Sequence, residues 1–241
     1  MDPAPPERSA LFDAGAAALT HNAPLGRDRA GELVRFLGAA NPLSAVDLCC
    51  GRGALATALA AHRPQTSVVG VDLDETAIAH ARQAAAHARS VARPRFEVGE
   101  ATAWTEPVDA AVCIGGAHAF DGPGPLLAHL ASVVPGGRAV IGDGVWQGRP
   151  DAWCRETFGR LPDGVDPLVT LAQEHGWRVS EASVASLDEW DAFEHGWIGG
   201  VRAVGTADAL AFADERAQEY ERYRGVLGFA YLLVERRTPA G

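Results

Sequence analysis

The sequence predicts an α/β domain built on a largely parallel β-sheet with helices on both faces. Seven short apolar runs, at 43–49, 67–71, 94–98, 108–114, 138–142, 177–185 and 225–234, have the length of strands. From residue 43 onward they alternate with helical stretches, the pattern of βαβ units, and they read as continuous apolar segments, as strands covered on both faces do. A composition of 47% apolar and 22% charged residues over 241 positions suits a globular chain able to bury a sizeable core.

Taken in order, residues 1–8 are Pro-rich and polar and read as a flexible tail. Helical patterns follow at 9–20 and 27–37, the second closing on Gly38, with Thr20–Pro24 as the loop between them. Within the alternating region the helices fall at 53–62, 75–91 and 123–134. In the last of these Leu126, Leu127, Leu130, Val133 and Val134 share one face. Asp166 and Pro167 open a further helix that stops at Gly176, and the link 99–107 is too short for a long one. Ser186–Glu189 form a capping box ahead of a helix with Trp190, Phe193, Trp197, Ile198 and Val201 on one face, and a second helix spans 207–223. The stretch 186–224 reads as a helical lid inserted before the last strand of a single domain over 9–241.

Composition removes several chemistries. All 21 basic residues are arginine, so there is no Walker A lysine, no pyridoxal Schiff base and no Tyr/Lys dehydrogenase pair. A net charge of −10 excludes nucleic acid as the expected partner, because that affinity comes from clustered basic residues. Cys49, Cys50, Cys113 and Cys154 lack metal-ligand spacing and lie in apolar runs; no metal is expected, and the thiols read as reduced and buried. The N-terminus has no signal-peptide pattern and no window approaches 18 apolar residues, so the expectation is a cytoplasmic protein without a membrane partner. Oligomeric state stays open, a homodimer included.

Ala45–Leu55 carries the chemistry: an apolar strand, then Gly51-Arg52-Gly53, then a helix. Such a turn lets a ligand approach bare backbone and free N–H groups, and fits a dinucleotide, S-adenosylmethionine or simply a tight βα connection. Asp72 closes the next strand 21 residues after Gly51, where a carboxylate can accept both ribose hydroxyls. Asp47, inside the first strand, would repel a pyrophosphate and suits a cofactor bearing an ammonium, which favours S-adenosylmethionine.

With these residues the chain resembles the class I S-adenosylmethionine-dependent methyltransferases over about 43–143. Asp47–Gly53 is similar to the family's first motif, with Cys49 in place of its first glycine and Cys50, Gly51 and Gly53 at the turn. Asp72 matches the ribose-binding acid and Leu73 the residue packing on adenine. Glu100 and Ala101 resemble the acidic and small pair at the adenine amino group. Asp109–Gly116, with Cys113, Ile114 and Gly115, resembles the fourth-strand motif facing the reactive methyl, and Pro135–Asp143 the turn and fifth strand. The resemblance implies a Rossmann-like seven-stranded sheet, six strands parallel and the last antiparallel, with N-terminal helices. The helix beginning at Asp188 and the segment from Tyr223 to Leu232 resemble a subgroup of bacterial small-molecule methyltransferases.

Methyl transfer from a sulfonium is an in-line displacement in which a protein aligns reactants, excludes water and manages a proton. Candidates beside the methyl are His118, as base or as a hydrogen-bonded loop histidine, and Asp143, as base, orienting acceptor, amine-binding group or turn former. Trp146, Trp190 and Trp197 can wall an organic acceptor or belong to the core, and Tyr223 joins them as a substrate candidate. His21 can reach over the site or face solvent, and Arg224 can hold a substrate carboxylate or pair with a nearby glutamate. The leading expectation is transfer of a methyl group to a small organic acceptor. The alternatives are an NAD(P)-dependent oxidoreductase and a catalytically inactive binding protein on the same fold.

Overall fold

The computed structural model describes residues 6–87 and 93–236. Its strands are β1 (Ser44–Leu48), β2 (Ser67–Asp72), β3 (Arg95–Val98), β4 (Ala110–Ile114), β5 (Gly137–Trp146), β6 (Arg178–Val184) and β7 (Leu227–Arg236). The helices are α1 (Pro6–Ala17), α2 (Arg27–Gly38), α3 (Ala54–His62), α4 (Glu75–His87), α5 (Pro123–Val133), α6 (Ala152–Phe158), α7 (Asp166–Glu174), α8 (Leu187–Arg202) and α9 (Ala207–Tyr223). All seven strands form one sheet in the order β3-β2-β1-β4-β5-β7-β6. The sheet is parallel throughout except for β7, which runs antiparallel to β6. This is the Rossmann-like α/β fold expected from the sequence.

Register fixes what lies together at one end. Leu48 pairs with Val71 on β2 and with Cys113 on β4, and Cys113 pairs with Ile141 on β5, so all four strands finish at the same edge. Strand order reverses between β1 and β4, and ligands of open α/β sheets bind at the carboxyl ends beside such a switch point. At the opposite end the Asp109 carboxylate accepts from the Leu43 and Ser44 amides at 2.8 and 3.0 Å, tying the start of β1 to β4.

The chain divides into two compact units. One comprises Arg27–Val145, Pro162–Val184 and Phe229–Gly241 and contains most of the sheet. Its core runs from Val46 and Leu48 through Ala111, Cys113, Ala139 and Ile141 to Leu126, Leu127 and Leu130 of α5, all buried. Each large aliphatic side chain so buried contributes about 1.5–3 kcal/mol.

The other unit comprises Met1–Gly26, Trp146–Leu161 and Ala185–Gly228. The capping box starts α8 as expected: Ser186 Oγ accepts from the Glu189 amide, and the Glu189 carboxylate accepts from the Ser186 amide. Trp197, Ile198 and Val201 of α8 pack with Ala209 and Ala213 of α9. The Trp197 ring lies against Gly15 of α1, where a Cβ would fall 2.3 Å away. Glu194 is wholly buried among these apolar groups and accepts from two guanidinium nitrogens of Arg216, Nη2 at 2.8 Å and Nε at 2.9 Å, and from the Tyr223 hydroxyl at 2.5 Å.

Three local differences from the sequence reading have physical causes. Strand β5 continues to Trp146 rather than stopping at 142, because Gly142 leaves room that the Phe229 ring and Ile114 fill, and a glycine pair that looks like a turn becomes strand. Helix α6 stands in a segment without strong periodicity; Asp151 caps it through the Cys154 amide at 2.7 Å and Gly159 ends it. Helix α1 begins at Pro6 and α4 is described to His87, so the expected continuation to residue 91 and most of the expected tail lie outside the described residues.

Candidate functional site

The turn after β1 is built to expose backbone. Cys49, Gly51 and Gly53 all have positive φ, at 58°, 52° and 73°. The two glycines serve different ends. A Cβ on Gly51 would meet nothing within 4 Å, so its bare backbone faces open space, whereas one on Gly53 would lie 2.3 Å from the Phe96 ring. Gly53 therefore permits close packing of α3 on β3, and Gly51 permits a ligand to approach. Gly115, after β4, likewise faces open space.

Two carboxylates flank the turn. Asp72, the last residue of β2, accepts from the Gly51 amide at 2.7 Å with one oxygen and from the Asp74 amide at 2.9 Å with the other. Asp47, on β1 and only 4% exposed, accepts from the Ala56 amide at 3.1 Å. Gly53 gives α3 no side-chain cap, so Asp47 satisfies one of that helix's free N–H groups from the neighbouring strand. Burial raises the Asp47 pKa to about 7, against the opposing Ala56 hydrogen bond and reinforced by the Asp72 charge.

The remaining candidates complete the carboxyl edge. Leu73 follows Asp72 and is 65% exposed. Glu100 is exposed ahead of a short 3-10 turn, Ala101–Ala103, whose first residue is buried. Cys113 is sealed in β4, and Ile114 and Gly115 are partly buried. Beyond them the 3-10 turn Ala117–Phe120 carries His118 on its exposed side. Asp143 on β5 holds that turn by accepting from the Ala117 amide at 2.8 Å, and its other oxygen accepts from the Gly144 amide at 2.7 Å. Burial raises the Asp143 pKa, opposed by those two hydrogen bonds and then by His118.

Trp146, Trp190, Trp197, Tyr223, Arg224 and His21 belong to the other unit. Trp146 and Tyr223 both meet the Phe158 ring edge-on, at 6.3 and 5.0 Å between centroids, and Trp190 meets Tyr223 at 6.1 Å. Trp197 contacts Phe12 and Phe212 and carries the Arg216 guanidinium over its ring at 5.2 Å. Arg224 makes two 2.7 Å bonds to Asp191, an aspartate rather than the glutamate expected. His21 is partly buried, which lowers its pKa.

Two features escaped the sequence reading. The Glu194–Arg216 pair had a legible signal, a glutamate on the apolar face between Trp190 and Trp197. The meeting of Cys49 with Cys113 had none, because it depends on the β1–β4 register. Among the described residues there is no group of three or more metal-type side chains, and no helix long and apolar enough to cross a membrane.

Comparisons with known proteins agree with this geometry. Residues 45–137 match the family model described as a methyltransferase domain. The fold is similar to that of YJHP from E. coli, at a TM-score of 0.82 and 20% identity over 94% of this chain and 99% of that one. It is also similar to a SAM-dependent methyltransferase from Thiobacillus denitrificans crystallised with S-adenosyl-L-homocysteine (TM-score 0.80, 21% identity, 98% and 100% of the chains). A third, a SAM-dependent methyltransferase from Geobacter sulfurreducens with the same ligand, gives 0.77 and 22% over 95% and 98%. No curated protein sequence matches. Residues 45–137 thus match a methyltransferase domain model, and the chain shares the fold of these SAM-dependent methyltransferases.

Proposed function

We propose that the protein binds S-adenosylmethionine at the carboxyl edge of β1–β5 and transfers its methyl group to a small organic acceptor, releasing S-adenosylhomocysteine. The observation that carries this reading is the pairing of an open glycine turn with two acids, Asp72 hydrogen-bonded to that turn and Asp47 buried behind it. An ammonium-bearing ligand relieves the strain on Asp47, because a nearby positive charge favours its ionised form; a pyrophosphate does the reverse. That separates this reading from NAD(P)-dependent oxidoreduction.

The residues present fit the cofactor. Gly51 and Gly115 leave space that a Cβ would fill, Asp72 offers acceptors for ribose hydroxyls, and exposed Leu73 offers an apolar face for adenine, with Glu100 and Ala101 at its edge. When bound, S-adenosylmethionine supplies an electrophilic methyl on a sulfonium. His118 is assigned as the group that takes the acceptor's proton, at its imidazole nitrogen. Asp143 positions it: by fixing the Ala117 amide it sets the turn that carries His118. Trp197 and Tyr223 serve the packing of their own unit, buried against Phe12 and Phe212 and against Glu194, and Arg224 is held by Asp191; the two similar bacterial methyltransferases support the reaction class but not the acceptor.

Calorimetric titration tests the reading. S-adenosylhomocysteine should bind and NAD should not, and Asp72→Ala should weaken binding by about 10- to 100-fold through loss of charge-assisted hydrogen bonds. Tighter binding of NAD would reverse the choice.

A further inference from the structure

The first motif departs from its resemblance at one residue, and that residue has an unusual neighbour. Cys49 stands at φ 58°, a left-handed conformation that disfavours a non-glycine residue. Its thiol shares a hydrogen bond with the Cys113 thiol. Both sulfurs press on Gly116, where a Cβ would lie 2.6 Å from Cys113 Sγ and 2.8 Å from Cys49 Sγ. Register agrees: Cys113 pairs with Leu48, so Cys49 is one residue further along. Both sulfurs thus lie within 2.8 Å of one point, which makes them direct neighbours at the end of β1 and β4.

We propose that Cys49 and Cys113 are a redox pair whose disulfide disables the glycine turn for cofactor binding. The inference rests on the cofactor site proposed above. Cys49 is partly exposed and Cys113 is sealed, so an oxidant reaches Cys49 first. The hydrogen bond from Cys113 lowers the Cys49 pKa, while burial raises that of Cys50, which makes Cys49 the better nucleophile of the adjacent pair.

With hydrogen peroxide as oxidant the chemistry balances. The Cys49 sulfur attacks the O–O bond, taking one oxygen as a sulfenic acid while the other leaves as water. The Cys113 sulfur then attacks Cys49 Sγ, the S–S bond forms, the S–O bond breaks, and the hydroxide leaves with the Cys113 proton as a second water. Drawing Cys49 toward β4 shifts the turn whose Gly51 amide bonds Asp72, two residues on. Linkage is reciprocal, so a bound cofactor also opposes the oxidation.

The test uses the full chain, reduced and then exposed to hydrogen peroxide, with peptide mapping and S-adenosylhomocysteine calorimetry on both forms. Expected are a Cys49–Cys113 disulfide, a fall in affinity of about tenfold or more, and recovery with dithiothreitol. Cys49→Gly, which suits the left-handed backbone, should form no disulfide and keep its affinity after peroxide. Free thiols after treatment, a disulfide using Cys50 or Cys154, or unchanged affinity in the cross-linked protein would each overturn the proposal. If the reduced protein binds no S-adenosylhomocysteine, the cofactor reading fails separately, and the peptide map still decides whether the pair forms.

Discussion

Asp47 sets the pH behaviour of the site. Its folded pKa of about 7 lies above the ordinary carboxylate value of 3.8, so the ionised form is disfavoured by folding. Stability attributable to this group is complete below about pH 4 and is lost as pH rises through 7. Asp47→Asn keeps an acceptor for the Ala56 amide and removes the charge. Thermal unfolding of the ligand-free variant at pH 8 should therefore occur about 9–17 °C above the parent, with the difference vanishing near pH 4. Cofactor affinity should move the other way, rising with pH through 7 in the parent and staying flat and weaker in the variant. His118→Ala should lose turnover while keeping S-adenosylhomocysteine affinity; unchanged turnover would leave alignment and water exclusion as the source of rate. Residue identities at this edge were legible because acids and glycines announce themselves by spacing. What each carboxylate does to the backbone was not, since the bonds of Asp72 to Gly51 and of Asp143 to Ala117 join segments 21 and 26 residues apart.

Elements separate roles that residue types alone confuse. Gly51 and Gly53 sit in one turn, yet Gly51→Ala should cost only about 1 kcal/mol of stability while strongly weakening ligand binding, because its Cβ points into open space. Gly53→Ala drives a Cβ into Phe96 and should destabilise the fold itself. Chemical denaturation alongside ligand titration distinguishes the two. In α8, Glu194→Ala leaves Arg216 and the Tyr223 hydroxyl without their shared acceptor and should cost about 3–5 kcal/mol, measured by the same denaturation. Helices with an apolar stripe or a capping box, such as α5 and α8, were readable from sequence because local signals decide them. Strand β5 was read short and α6 was not read at all. Packing of Phe229 against Gly142 and a single Asp151 cap decided those, and neither has a periodic signature.

At the scale of the molecule, alternating apolar runs and helices made the parallel sheet legible, and the antiparallel last strand followed from the family resemblance, whereas the strand order depends on pairings between distant segments that no local signal carries. The order matters because it sets the switch point between β1 and β4, which gathers acids and glycines from five separate segments at one edge. A chain with 31 carboxylates, 21 arginines and no lysine presents acceptors there, and acceptors are what a cationic cofactor requires. Binding of such a ligand to the folded state alone stabilises it by about 2.7 kcal/mol at a hundredfold excess over Kd, or about 5–11 °C in unfolding temperature. The most direct measurement is a calorimetric titration of the reduced full chain with S-adenosylhomocysteine. Saturable one-to-one binding that is lost in Asp72→Ala is expected; no heat of binding to the folded protein, or binding indifferent to that substitution, would contradict the assignment of this edge as a cofactor site.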